Sequence, residues 1–109
     1  MEAVRSSIVW ASERDSLYVF RDPPLPMWQV DPFEGYLLGS LLLEIDEDEI
    51  ETGRVAGVEI LDFLDFDKWD AIPVLPLLWQ LYDWQPLPLA DLLQRLQAEL
   101  RQQAKAGAA

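Results

Sequence analysis

Four aspartates, Asp62, Asp65, Asp67 and Asp70, fall close together, and a denser acidic run holds Asp46, Glu47, Asp48, Glu49 and Glu51. Carboxylates so spaced can act in pairs as general acid and base, or hold a hard cation through several oxygens. Catalysis or magnesium binding by the four aspartates would need two of them to converge in a cleft with shifted proton affinities. Asp62 and Asp65 are neighbours at helical spacing, but on a short exposed helix they are expected to form its solvated face. The run at 46–51 misses the helix–loop–helix calcium pattern, which alternates oxygen ligands and has glycine at its sixth position. Ile occupies position 50 and the glycine falls at 53, so the run reads as a solvated hairpin tip.

The chain has no Cys and no His. Disulfides, thiol nucleophiles and thiolate or imidazole metal sites are thereby excluded, as is the side chain that titrates near neutral pH. The chain is expected not to be an enzyme, with no catalytic, cofactor-binding or metal-ligating residues and no cofactor.

Aromatic side chains are the other set able to do something specific. Five Trp in 109 residues is many, and Trp69, Trp79 and Trp84 lie near Tyr82. Core packing accounts for Trp79. A small two-layer protein has little room to enclose all the others, and large rings are enriched where proteins meet. Tyr18, Phe20, Trp28, Trp69 and Trp84 are therefore the candidate interface. A pocket of Trp and Asp could instead hold a cation by ring faces and carboxylates, though no spacing singles one out.

The net charge is −12, and residues 1–70 carry all of it, with 17 acidic residues against 5 basic; residues 71–109 are neutral. Such a surface repels phosphate, so neither direct nucleic-acid binding nor docking on an anionic membrane is expected. The N-terminus lacks the basic and long apolar regions of a signal peptide. The apolar stretch 71–81 is broken by Pro73 and Pro76 and is shorter than the roughly 20 residues needed to span a bilayer. A cytoplasmic location is expected.

The elements follow from periodicity. Residues 7–11 and 16–20 are rich in β-branched and aromatic side chains around a polar break, which predicts a hairpin. Leu17 and Val19 form one row and Tyr18 and Phe20 another, so both faces of this strand should be covered. Residues 22–35 contain four prolines and predict a packed loop, with Trp28 either a lid over a pocket or, preferably, a plug at the sheet edge. The strongest hairpin spans 36–46 and 54–61, with the acidic run at its tip. Phe63, Phe66 and Trp69, spaced by three, predict a short helix or helical turn with Asp62 as its cap. Leu75, Leu78, Trp79 and Tyr82 predict a helix near 76–83. Leu89, Leu92, Leu93, Leu96 and Leu100 mark the buried face of a final helix, too short a stripe for a coiled-coil seam; its last residues, 104–109, should fray.

The front half of the chain resembles the small prokaryotic family called domain of unknown function 2283. One matching stretch is Trp10-Ala-Ser-Glu-Arg-Asp-Ser-Leu-Tyr-Val19. The more specific is Leu43-Glu-Ile-Asp-Glu-Asp48 followed by Gly53-Arg-Val-Ala-Gly-Val-Glu-Ile-Leu61. The likeness covers about residues 8–62; the proline-rich insert, the longer acidic turn and the C-terminal third depart from it. It implies a β-rich fold and assigns no activity and no site residue.

The fold expected is α+β: a four-stranded antiparallel meander of two hairpins followed by short helices and a C-terminal amphipathic helix packed on one face. It forms one domain over 1–109, with the sheet at 7–61 and a helical extension at 62–105. The function expected is a non-enzymatic protein-interaction or oligomerisation module, most simply a homodimer. The alternatives are an acidic nucleic-acid mimic that occupies a DNA- or RNA-binding protein, and, more weakly, a small carboxylate-dependent enzyme.

Overall fold

Leu17 and Val19 are fully enclosed while Tyr18 and Phe20 are half-buried, so the two apolar rows of this strand do face opposite sides of a sheet. In the computed structural model, which describes residues 1–108, that strand is β2 (Ser16–Arg21), paired antiparallel with β1 (Glu2–Ala11). The second predicted hairpin is also present, as β4 (Tyr36–Ile45) and β5 (Glu51–Leu61). Its tip closes on itself: Asp46 Oδ1 accepts hydrogen bonds from the backbone N–H of Asp48 (2.9 Å) and Ile50 (3.0 Å). An aspartate side chain so used replaces the missing ladder partners of a tight turn.

The sheet is not a four-stranded meander. It has six strands in the order β3-β4-β5-β2-β1-β6, where β3 is Trp28–Phe33 and β6 is Leu77–Leu81. The chain leaves β2, crosses to the far edge, and returns through β3, β4 and β5 to pair β5 with β2, a Greek-key connection. Only the β1–β6 pairing is parallel.

Two elements differ from expectation in kind. The proline-rich segment is not wholly a loop, because its second half supplies β3 along the outer edge of β4. Pro32 is tolerated there since β3 is an edge strand, and the register shifts between Pro32 and Phe33. The segment near 76–83 is a strand rather than a helix. Leu77, Trp79 and Leu81 are buried and alternate with half-buried Leu78 and Gln80, a period of two that outweighs the looser helical spacing. Residues 77–81 therefore belong to the sheet, and the division into sheet and helical extension does not hold.

Between the sheet and the final helix lie two short 3-10 turns, Phe63–Asp65 and Trp69–Ala71, in place of one short helix. Asp62 precedes the first with a left-handed backbone (φ 55°), and its side chain does not cap it. The cap comes from the β1–β2 turn: the Asp15 backbone carbonyl accepts from Phe63 N–H (3.1 Å) and Asp15 Oδ1 from Leu64 N–H (3.0 Å).

Helix α1 (Leu89–Ala108) is longer than expected, since 104–108 remain helical; Ala109 lies outside the described residues. Its five-leucine stripe is buried against Leu17, Val19, Val58, Ile60 and Trp79 in one core. Gln97, also buried, donates through Nε2 to the carbonyls of Phe63 (2.8 Å) and Phe66 (2.7 Å), tying the first 3-10 turn to the helix. Among the described residues, no helix is long and apolar enough to cross a membrane.

Candidate functional site

With α1 on one side, the other side of the sheet is open, and the strand register fixes what lies on it. Directly paired residues share a face. Phe20 lies opposite Gly57, Gly57 opposite Leu42, and Leu42 opposite Val30; one step along, Val9 pairs with Tyr18 and Tyr18 with Glu59. None of these is on the α1 side.

Three of the five candidate interface residues meet here. Tyr18 and Phe20 stack with ring centroids 5.8 Å apart and planes 5° from parallel. Phe20 meets Trp28 of β3 at 5.5 Å, although two strands separate β2 from β3. Gly57, between them on this row, adds no side chain to it. Leu42, on the same row between Gly57 and Val30, is only 2% exposed although the helix packs on the other side. Trp28 (39% exposed) and Val30 (59%) keep much of their surface in solvent. Trp28 is thus neither a lid nor simply an edge plug: it heads the edge strand and extends the aromatic row.

Trp69 and Trp84 lie elsewhere. Trp69 packs edge-on against Phe66 (4.8 Å), and Phe66 against Tyr36 (4.8 Å), at the end of the sheet where the 3-10 turns lie. Trp84 follows β6 and holds the Arg95 guanidinium over its ring at 3.9 Å. The five residues therefore form no single surface.

The charges on the open face balance. Its charged members are Arg5 and Arg54 against Glu44 and Glu59, so a strongly acidic protein presents one neutral, apolar side. Glu44 is buried at its rim. Arg54 grips it with two bonds, Nε to Oε1 (2.9 Å) and Nη2 to Oε2 (2.8 Å), and the Thr52 hydroxyl donates to Oε1 (2.6 Å). These bonds to Arg54 and Thr52 hold the Glu44 carboxyl below the usual carboxylate range. Hydrogen bonding to the Glu59 carboxylate, with partial burial, pushes the Tyr18 hydroxyl up.

A depressed carboxyl pKa gives stability that is fully present above the unfolded value and lost as pH falls through the folded one. Glu44→Gln should therefore lose less stability than the unmodified chain between pH 6 and pH 3. Urea unfolding at the two pH values measures the difference.

The four aspartates of the sequence reading do not converge. Asp62, Asp65, Asp67 and Asp70 are all exposed. Asp67 and Asp70 border a surface cleft of about 490 Å³ with Glu34 and Trp69, whereas Asp62 and Asp65 do not line it. Among the described residues, no three acidic side chains come together as metal ligands would. Burial first, then the charges of Asp62, Asp15, Asp67 and Asp65, push up the Tyr36 hydroxyl, which donates to the Leu61 carbonyl (2.7 Å).

Sequence reasoning gathered Tyr18 and Phe20 from their strand alternation, but not their meeting with Trp28. The one available signal was Gly57 inside a strand, which marks a close approach or a space left for neighbours. No family model, no curated protein and no solved structure matches this chain.

Proposed function

We propose that this protein is a non-enzymatic interaction module of the cytoplasm that works through the open face of its sheet, most simply by pairing with a second copy of itself. The observation that carries this reading is the aromatic row Tyr18, Phe20 and Trp28 on an electroneutral face of a protein with net charge −12. Two copies would repel each other through most of their surfaces. The open face is where that repulsion is least and apolar burial greatest, which favours a two-fold, self-complementary contact.

Light scattering across micromolar concentrations tests it. A dimer is expected, persisting in high salt because apolar contacts are not screened. Val30→Glu, at an exposed edge position, should weaken it at least about tenfold by placing like charges near the two-fold contact. A monomer throughout would overturn the pairing. A dimer or complex lost on adding salt would instead favour the acidic-mimic reading, in which the carboxylates of the hairpin tip and the 3-10 turns do the binding.

We also propose a distant kinship with the domain of unknown function 2283 family. In support, the matched stretches belong to the two hairpins, which lie side by side in the sheet through the β2–β5 pairing.

A further inference from the structure

A second region, on the helix side of the sheet, is separate from the open face. Where the far end of β1 meets α1, a cavity of about 200 Å³ is lined by Trp10, Tyr82, Trp84, Leu96 and Glu99. We propose that it is an aromatic cage for a small quaternary ammonium head such as that of choline.

Three aromatic residues and one carboxylate converge on the cavity. Ring faces attract cations, and a quaternary head needs no hydrogen bonds, only π surface and apolar contact for its methyl groups. Leu96 supplies the latter. The cavity is smaller than the roughly 300–1,000 Å³ typical of pockets for drug-sized ligands, and suits a compact head group. Trp84 already holds one cation, the Arg95 guanidinium, but Arg95 does not line the cavity. Glu99, one helical turn beyond Arg95, is exposed and forms no ion pair; the Arg54–Glu44 pair is the only salt bridge among the described residues. The wall thus carries a carboxylate that no contact ion pair occupies.

The backbone at Tyr82 points the same way. Tyr82 is left-handed (φ 54°) in a turn closed by Trp84 N–H donating to the Leu81 carbonyl (3.1 Å). Gly, Asn or Asp is the usual residue in that conformation, and a tyrosine there is strained. The strain is kept where the ring stands edge-on to Trp84, centroids 5.5 Å apart and planes 82° to each other. Strained residues of this kind cluster at binding sites.

The test is titration of the nitrogen-15-labelled chain with choline, with free trimethyllysine, and with 3,3-dimethylbutan-1-ol, the uncharged isostere of choline. The expected result is saturable movement of the Trp10 and Trp84 indole signals with choline or trimethyllysine, the tighter of the two naming the source of the head group. The isostere should bind about tenfold more weakly. Glu99→Gln, on the exposed side of the helix, should weaken binding about fivefold without changing the melting temperature. Tyr82→Gly relieves the backbone, so it should fold and yet lose most of the affinity. Equal response to choline and its isostere, or no saturable shift through tens of millimolar, would overturn the proposal.

Discussion

Gly57→Ala is expected to destabilise the protein by about 3 kcal/mol, at the upper end of what overpacking costs in a rigid interior. A Cβ at this position would sit far inside van der Waals contact with the Val19 backbone oxygen, 3.1 Å from the Val19 carbonyl carbon and 3.2 Å from Phe20 Cα. All three are backbone atoms of β2, so no side chain can rotate away, and β2 and β5 must separate. Those strands carry Leu17, Val19, Val58 and Ile60, each fully enclosed. Urea unfolding followed by Trp fluorescence measures the loss, with Val30→Ala, at an exposed edge position, as a control expected to change stability by no more than about 0.5 kcal/mol. The same substitution displaces the floor over which Phe20 and Trp28 meet. If the open face mediates pairing, the variant should also associate more weakly under conditions where it remains folded.

Trp79→Ala should cost about 4 kcal/mol, whereas Trp79→Phe should cost about 1. Trp79 is fully enclosed and packs in the same core as Leu92, Leu93 and Leu96. Truncation to alanine leaves a cavity the size of an indole that a close-packed interior cannot fill. Phenylalanine keeps most of the ring and removes one liability: the indole Nε1 is the one buried side-chain polar atom without a hydrogen-bond partner among the described residues. Removing an unpaired buried donor recovers part of the lost packing energy. The backbone of Trp79 is bonded in both directions to Leu87 (2.7 and 2.9 Å), and β6 is paired with β1, so neither variant removes the strand. Parallel chemical denaturation of the two variants checks the ratio. Equal losses would overturn the view that ring volume sets the cost.

Much of the local structure was legible from residue order. Strict alternation at Leu17, Val19, Tyr18 and Phe20, and again through Leu41, Leu43, Val58 and Ile60, specifies strands because one-residue slips would turn apolar rows to water. The leucines at 89, 92, 93, 96 and 100 specify α1 for the same reason at helical period. The errors arose where a short segment carried two compatible patterns. Leu75, Leu78, Trp79 and Tyr82 fit a helix, while Leu77, Trp79 and Leu81 fit a strand. The outcome was decided by the unpaired outer edge of β1, which pairs with β6. Residues 28–33 looked like loop because of their prolines, yet the outer edge of β4 drew them into the sheet.

The candidate surfaces divide in the same way. That Tyr18 and Phe20 share a face, that the chain lacks the groups for thiol or imidazole chemistry, and that its net negative charge comes from residues 1–70 were all determined by the sequence alone, since each depends only on residue type and near neighbours. That Trp28 joins Phe20 across two strands, that Asp15 rather than Asp62 caps the first 3-10 turn, and that Trp10, Tyr82 and Trp84 surround one cavity with Glu99 was decided only by the tertiary structure. Each of these joins residues far apart in the chain, and such contacts depend on strand order. Period-two alternation says which face a residue takes but not which strand lies beside it. Strand order here was settled by which unpaired edges the remaining segments could cover.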